Sequence, residues 1–151
     1  MREKKLDKLD FKKFHPEGNL AKKLKTASDI MLIGNKIPFV NENVTMKYAL
    51  RKLNLKKQGF LVVTNNHGLT VGVFTDGDLK RLMQKKQKIE NLKIKSYMTK
   101  NPYQVEINTL ASDILVQMNK KKITNACVFK KENKRKTCGV IHIHNLITTL
   151  R

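Results

Sequence analysis

The chain has 151 residues, and 32 Lys+Arg against 12 Asp+Glu give it a formal charge of 32 − 12 = +20 at neutral pH. That length suits one compact domain or two small ones, and a hydrophobic fraction of 40% supplies a core, which excludes wholesale disorder despite the charge. No apolar run approaches the roughly 20 residues that cross a bilayer, and the opening Met1-Arg2-Glu3-Lys4-Lys5-Leu6-Asp7 lacks the apolar stretch of a signal peptide, so a soluble cytoplasmic protein without membrane contact is expected.

Along the chain, Lys36-Ile37-Pro38-Phe39-Val40 reads as extended. Met46, Ala49, Leu50 and Leu53 then recur at i, i+3, i+4 and i+7, the stripe of an amphipathic helix. Two strands are predicted next, Phe60-Leu61-Val62-Val63-Thr64 and Leu69-Thr70-Val71-Gly72-Val73-Phe74, joined by the hairpin chemistry of Asn65-Asn66-His67-Gly68. A second helix begins near Thr75, with Leu79, Leu82 and Met83 on one face.

The pattern then repeats. Tyr103-Gln104-Val105 is extended, and Leu110, Ala111, Ile114, Leu115 and Met118 mark a helix that Thr109 is placed to cap. Ala126-Cys127-Val128-Phe129 and Cys138-Gly139-Val140-Ile141 read as strands across a charged loop, residues 130–136, and Leu146, Ile147 and Leu150 close the last helix. The anchors share one offset: 98 − 31 = 67 for Met31 and Met98, 139 − 72 = 67 for Gly72 and Gly139, and 145 − 78 = 67 for Asp78 and Asn145. Two units of about sixty residues, each β-α-β-β-α and each needing the other to complete its core, are therefore expected. The fold class is α+β.

The surplus charge is nearly all lysine, from Lys4-Lys5 and Lys12-Lys13 through Lys56-Lys57 and Lys85-Lys86 to Lys120-Lys121-Lys122. A nucleic-acid reader clusters arginine and interleaves aromatics, which here are only 6%, so specific nucleic-acid binding is not expected. Cys127 and Cys138 fall in adjacent predicted strands, where a bridge is conceivable. With no CxxC pair or metal-ligand spacing they read as reduced thiols.

The chemistry concentrates where the first unit's last strand meets its last helix. There the Thr75 hydroxyl is placed to cap free backbone N–H groups or to reach a ligand oxygen, and those N–H groups with the helix dipole favour a phosphate. Asp78, three residues on, faces the same way and can accept two hydrogen bonds from a vicinal diol. Lys80 and Arg81 offset the charge that Asp76 and Asp78 present to a phosphate, and Gly77 leaves space beside the backbone. The apolar segments Ile37 to Val40 and Leu61 to Val63, with Ile37, Pro38, Leu61 and Val62 among them, are candidates to wall a flat ring. The residue types alone leave open that Thr75 and Asp78 only cap the helix. In the second unit His142 and Asn145 stand at the equivalent positions, where a weaker, empty or differently tuned half-site is expected. Neither His142 with His144 nor Asp76-Gly77-Asp78 supplies enough donors for a metal, so no metal and no cofactor is expected.

The doubled unit resembles the paired CBS domains of a Bateman module, a pseudo-twofold pair. Gly72-Val73-Phe74-Thr75-Asp76-Gly77-Asp78-Leu79 is similar to that family's nucleotide-contacting motif. His15-Pro16-Glu17-Gly18-Asn19-Leu20, Ser28-Asp29-Ile30-Met31, the Thr75 motif and His142-Ile143-His144-Asn145-Leu146 recur in this order in arabinose-5-phosphate isomerases. Those enzymes join a sugar-isomerase (SIS) domain to a C-terminal CBS pair. The resemblance implies a tail of a missing SIS domain and linker over 1–27, one CBS domain over 28–94 and a second over 95–151. His15 would belong to that absent site, with Glu17 where the family has Gly. A lone histidine cannot interconvert an aldose and a ketose, so no catalysis is expected from this chain. A cut fragment and a complete gene product both fit.

The function implied is a regulatory ligand-binding module of a sugar-phosphate isomerase. It would bind a nucleotide or nucleotide-sugar, AMP, ATP or CMP-Kdo, through Ile37, Pro38, Leu61, Val62, Thr75, Asp76, Asp78, Lys80, His142 and Asn145. The family makes the precursor of the lipopolysaccharide sugar Kdo, which makes CMP-Kdo a logical feedback ligand. The implied partners are the SIS domain and a second copy in a homodimer. A purely structural oligomerisation module and a basic nucleic-acid binder are the alternatives.

Overall fold

In the computed structural model, which describes residues 24–56, 59–85 and 87–151, each half of the chain carries a three-stranded sheet with two helices against it. The first half runs β1 (Phe39–Asn41), α2 (Met46–Lys56), β2 (Phe60–Thr64), β3 (Thr70–Thr75) and α3 (Asp76–Met83), after a short helix α1 (Ala27–Ile30). The second runs β4 (Gln104–Glu106), α4 (Ala111–Lys121), β5 (Asn125–Lys130), β6 (Asn133–His142) and α5 (Ile143–Leu150). This is the expected β-α-β-β-α order, twice. His15 and most of the expected tail lie outside the described residues, as do Lys4, Lys5, Lys12, Lys13, Lys57 and Lys86.

Each sheet has the same topology. β1 pairs parallel to β2 and β2 antiparallel to β3, and β4, β5 and β6 repeat the scheme. The repeat offset itself is uneven in a way that locates its gaps. It is 67 for Phe74 and Ile141 in the third strands, but 105 − 40 = 65 for Val40 and Val105, and 128 − 63 = 65 for Val63 and Val128, all buried. The two-residue differences fall before the first strand and in the second hairpin, where chain length is unconstrained by packing.

β2 is buried on both faces. Leu61 and Val63 pack under the helices with Met46, Ala49 and Leu53, while Phe60 and Val62 turn to a layer between the sheets, with Ile37, Cys127 and Val140. A strand covered on both sides reads as a continuous apolar run, which is how Phe60-Leu61-Val62-Val63 appears in the sequence. The lead-in to each half crosses to the other. Ala27 belongs to the second core with Ile114, Met118 and Leu146, whereas Ile94 belongs to the first. Leu32 exchanges two backbone hydrogen bonds with Val140 (2.8 and 3.1 Å), and Thr99 exchanges two with Val73 (2.7 and 2.9 Å). These lead-ins cover the outer edges of β6 and β3, which would otherwise be free to pair elsewhere.

The crossing explains two repeat anchors. Met98 lies over Gly72 and Met31 lies over Gly139, so glycine is required where the sulfur-bearing side chain presses on a strand. A Cβ on Gly72 would stand 2.7 Å from the Thr99 carbonyl oxygen and 2.8 Å from Met98 Sδ. Because the nearest atom is backbone and cannot turn aside, Gly72→Ala is expected to cost about 1–3 kcal/mol, the usual range for overpacking. An unchanged urea midpoint in the variant would contradict this packing. On the approximate twofold axis the equivalent threonines meet: Thr70 Oγ1 and Thr137 Oγ1 are 2.6 Å apart and share one hydrogen.

Several local expectations need correction. Residues 34–36 form a 3-10 turn (Gly34–Lys36), and strand pairing begins only at Phe39. Leu110, expected in the core, is the residue before α4 and bridges Thr26, so Thr109 stands one position too early to cap the helix. Met83 ends α3 at its outer rim and is 67% exposed. The charged loop is mostly strand: Lys130 pairs with Asn133, leaving Lys131 and Glu132 as the turn. An exposed hairpin tip tolerates charge on both faces, which hides the alternation. Cys127 and Cys138 are both free, with Cys127 in the inter-sheet layer and Cys138 against the helix-side core. They leave the sheet from opposite faces, so no bridge forms, and burial pushes the Cys127 thiol up to about 12.

Candidate ligand cleft

The β3–α3 junction is held by a reciprocal cap. The Thr75 hydroxyl accepts from the Asp78 backbone N–H (3.1 Å), and Asp78 Oδ2 accepts from the Thr75 N–H (3.0 Å). This satisfies two groups that a helix start leaves unpaired. The Asp76 N–H is also used, donating to the Gly59 carbonyl at 3.0 Å.

Asp78 does more than cap. It is 8% exposed, and among the described residues it is the one buried charged side chain. The Thr99 hydroxyl, from the lead-in of the other half, donates between its two oxygens at 2.9 and 3.1 Å, and Arg81 Nη2 donates to Oδ1 at 2.5 Å. One carboxylate thus ties together a helix start, the inter-repeat lead-in and a guanidinium.

These groups line a cleft of about 1120 Å³ between the halves. Its first wall is Phe60, Val73 and the turn from Thr75 to Asp78 with Arg81, joined by Thr99; the rest of the lining includes residues 101–104 and 121–125. Asn101 and Lys122 bend those two segments inward with left-handed backbone (φ 55° and 56°). Tyr103 carries the Lys121 ammonium 5.7 Å from its ring centre, within cation–π reach. Four cationic side chains, Arg81, Lys121, Lys122 and Lys134, face two carboxylates, Asp76 and Asp78. An anionic ligand is favoured there.

Of the residues singled out in the sequence, Thr75, Asp76, Asp78 and His142 come together in this cleft. Ile37, Pro38, Leu61 and Val62 do not line it; all four are buried, Leu61 under the helices and Ile37 and Val62 between the sheets. A continuous apolar run signals burial and not which face meets a ligand. Lys80 is exposed on α3 outside the cleft, and Asn145 lies on α5, also outside it. Thr99, Tyr103 and Lys121 were missed, because pairing across the repeat boundary leaves no local signal.

The second half does not reproduce the Asp78 network. The 67-offset partners of Thr75, Asp78, Arg81 and Thr99 are His142, Asn145, Thr148 and Leu32, so the carboxylate, the guanidinium and both hydroxyls of that network are replaced. His142 caps α5 by accepting the His144 N–H at Nδ1 (3.0 Å), which leaves a neutral ring's proton on Nε2. Burial, and then the neighbouring His144, hold its pKa below the ordinary 6.5. Folded His142 therefore binds its proton less readily than the unfolded chain does. Its contribution to stability is complete above about pH 6.5 and is lost as pH falls through the lower folded value. Unfolding free energy is expected to fall between pH 7 and 5, with His142→Asn flattening that slope; an identical slope in the variant would rule His142 out as the cause. Among the described residues no three His, Cys, Asp or Glu side chains converge as a metal site would require.

A second hollow of about 790 Å³ lies against α2 and α3, walled by Leu50, Leu53, Leu79, Met83 and Ile89. It shares Gly59 and Asp76 with the cleft but none of Thr75, Asp78, Arg81 or Thr99.

Comparison with known proteins agrees with the doubled fold. The profile described as CBS domain matches residues 27–85 and 94–151. Arabinose 5-phosphate isomerase KdsD of Salmonella typhi is 35% identical over 139 residues, covering 91% of this chain and 42% of that protein. The chain thus spans well under half the length of the curated relatives it matches. An uncharacterized conserved protein from Pyrococcus horikoshii superposes with a TM-score of 0.74 at 22% identity, over 85% of this chain and 94% of that one. CBSX2, a CBS-pair protein of Arabidopsis thaliana solved in complex with AMP, superposes with a TM-score of 0.68 at 23% identity, over 82% and 93%.

Proposed function

The chain belongs to the CBS domain family, and from that premise we propose that it is a regulatory module whose inter-repeat cleft binds a nucleotide or nucleotide-sugar. The observation that carries this reading is the buried Asp78 carboxylate on the wall of a cleft rich in cations, with Thr75 and Thr99 beside it. A carboxylate there suits a ribose diol, and Lys121, Lys122 and Lys134 suit a phosphate. His142 serves as a neutral Nε2–H donor. The similarity to arabinose 5-phosphate isomerases supports a place in a sugar-phosphate isomerase of the cytoplasm, with the catalytic SIS domain as the partner that the module regulates. Regulation then arises from the ligand's unequal affinity for two arrangements of the halves. CMP-Kdo, as a feedback ligand, and the adenine nucleotides AMP and ATP are the candidates.

Thermal denaturation with AMP, ATP and CMP-Kdo tests the reading. A ligand at a hundred times its dissociation constant adds about 2.7 kcal/mol, so at least one should raise the midpoint by several degrees. No shift with any of the three would contradict it.

A homodimer is proposed alongside, because Tyr48 and Leu55 are exposed on α2 and Met83, which lines the apolar hollow, is exposed at the end of α3. Sedimentation equilibrium checks this: the expected mass is twice 17.5 kDa.

A further inference from the structure

The lone pairs of Asp78 are already taken. A carboxylate offers about four acceptor positions, and four donors use them: the Thr75 N–H, the Thr75 hydroxyl, the Thr99 hydroxyl and Arg81 Nη2. A ligand diol can bind there only by displacing some of them. The four are not equally held. Thr75 is fixed by its own cap, and Thr99 is fixed by paired backbone hydrogen bonds to Val73, although its hydroxyl can rotate. Arg81 is held by its side chain alone, which is 69% exposed on a long flexible stem.

Displacing Arg81 separates a buried carboxylate from its counter-charge. The hydroxyls of a neutral diol satisfy the carboxylate's hydrogen bonding but give nothing back to the guanidinium. With Arg81 on Asp78, its Nη1 lies only 3.7 Å from where a Cβ on Gly77 would stand, so the guanidinium that a ligand displaces starts beside the N-terminus of α3. An anionic group on the ligand would meet both. The other half has no counterpart, since Asn145 and Thr148 replace the pair.

We propose that Arg81 occupies the ligand's place on Asp78 and exchanges it for the ligand's phosphate, so that the cleft accepts phosphorylated nucleosides and discriminates against nucleosides. The proposal rests on the nucleotide-binding reading and adds to it the residue that sets phosphate selectivity.

Calorimetric titration of wild type, Arg81→Ala and Arg81→Lys with AMP and adenosine, and with CMP and cytidine, tests it. In wild type the phosphorylated member of a pair should bind at least about tenfold tighter, the effect of one charge-assisted contact. Arg81→Ala should bind the nucleoside more tightly than wild type does, and should close the gap between nucleotide and nucleoside to within about threefold. Arg81→Lys, a point charge without the planar fork, should keep part of the preference. Arg81 is exposed, so unchanged far-UV circular dichroism is expected for both variants. If Arg81→Ala weakens both members of a pair equally, or changes neither, the exchange is wrong while the cleft reading stands. If wild type binds neither AMP nor CMP, the exchange is wrong; if ATP and CMP-Kdo also leave its thermal midpoint unchanged, the cleft reading fails with it.

Discussion

Phe60→Ala is expected to cost about 3–5 kcal/mol of unfolding free energy, the largest effect of any single replacement considered, as for other deeply buried Phe-to-Ala changes. Phe60 is 2% exposed, and its ring fills the layer between the sheets with Val62, Cys127 and Val140 while its edge reaches the cleft floor. Removing it opens a cavity that neither sheet can close alone, because that layer draws side chains from both halves. The chain should still unfold in one transition, followed by circular dichroism in urea. A loss below about 1 kcal/mol, or two separate transitions, would mean that the halves do not depend on each other as the shared layer requires.

Asp78→Ala is expected to act on stability and binding together. Its removal leaves the Thr75 N–H and the Thr99 hydroxyl without their acceptor and frees Arg81. Loss of the cap and of the link to the lead-in should cost about 1–3 kcal/mol. Most of the Arg81 contribution is recovered from water, since that side chain is largely exposed. Nucleotide affinity should fall at least about a hundredfold, as two hydrogen bonds to a charged acceptor are lost. Asp78→Asn separates the two effects. It keeps one acceptor for the cap, but its amide N–H groups oppose the Thr99 and Arg81 donors, so binding should suffer more than folding. At the equivalent position 145 the chain itself has asparagine, with Thr148 where Arg81 would stand. If the best ligand stabilises Asp78→Ala as much as wild type, Asp78 is a helix cap and nothing more.

The repeat was legible because packing enforces it. Met31 and Met98 press on Gly139 and Gly72, and those four residues carry the 67-residue offset that reveals two units. Strand β2 was legible to the residue, since burial on both faces demands an unbroken apolar run. The hairpin at Lys130 to Asn133 was not, because an exposed ladder places no apolar demand on its residues. The Thr75–Asp78 turn stood out through its capping chemistry. Its partners did not, since Thr99 reaches Asp78 only through the crossing of the lead-ins, and Tyr103 and Lys121 come from the other half of the sequence. Ile37 and Val62 face the layer between the sheets with Cys127 and Val140 of the other half, so their apolar character reports core and not lining.

Chemical-shift mapping of the ¹⁵N-labelled chain during titration with AMP or CMP-Kdo tests the central claim most directly. The account predicts that the largest changes fall on Gly77, Arg81, Thr99 and Tyr103, which come from two halves of the sequence and meet in one cleft. Changes centred on Leu50, Leu79 and Ile89, in the hollow between α2 and α3, would contradict it.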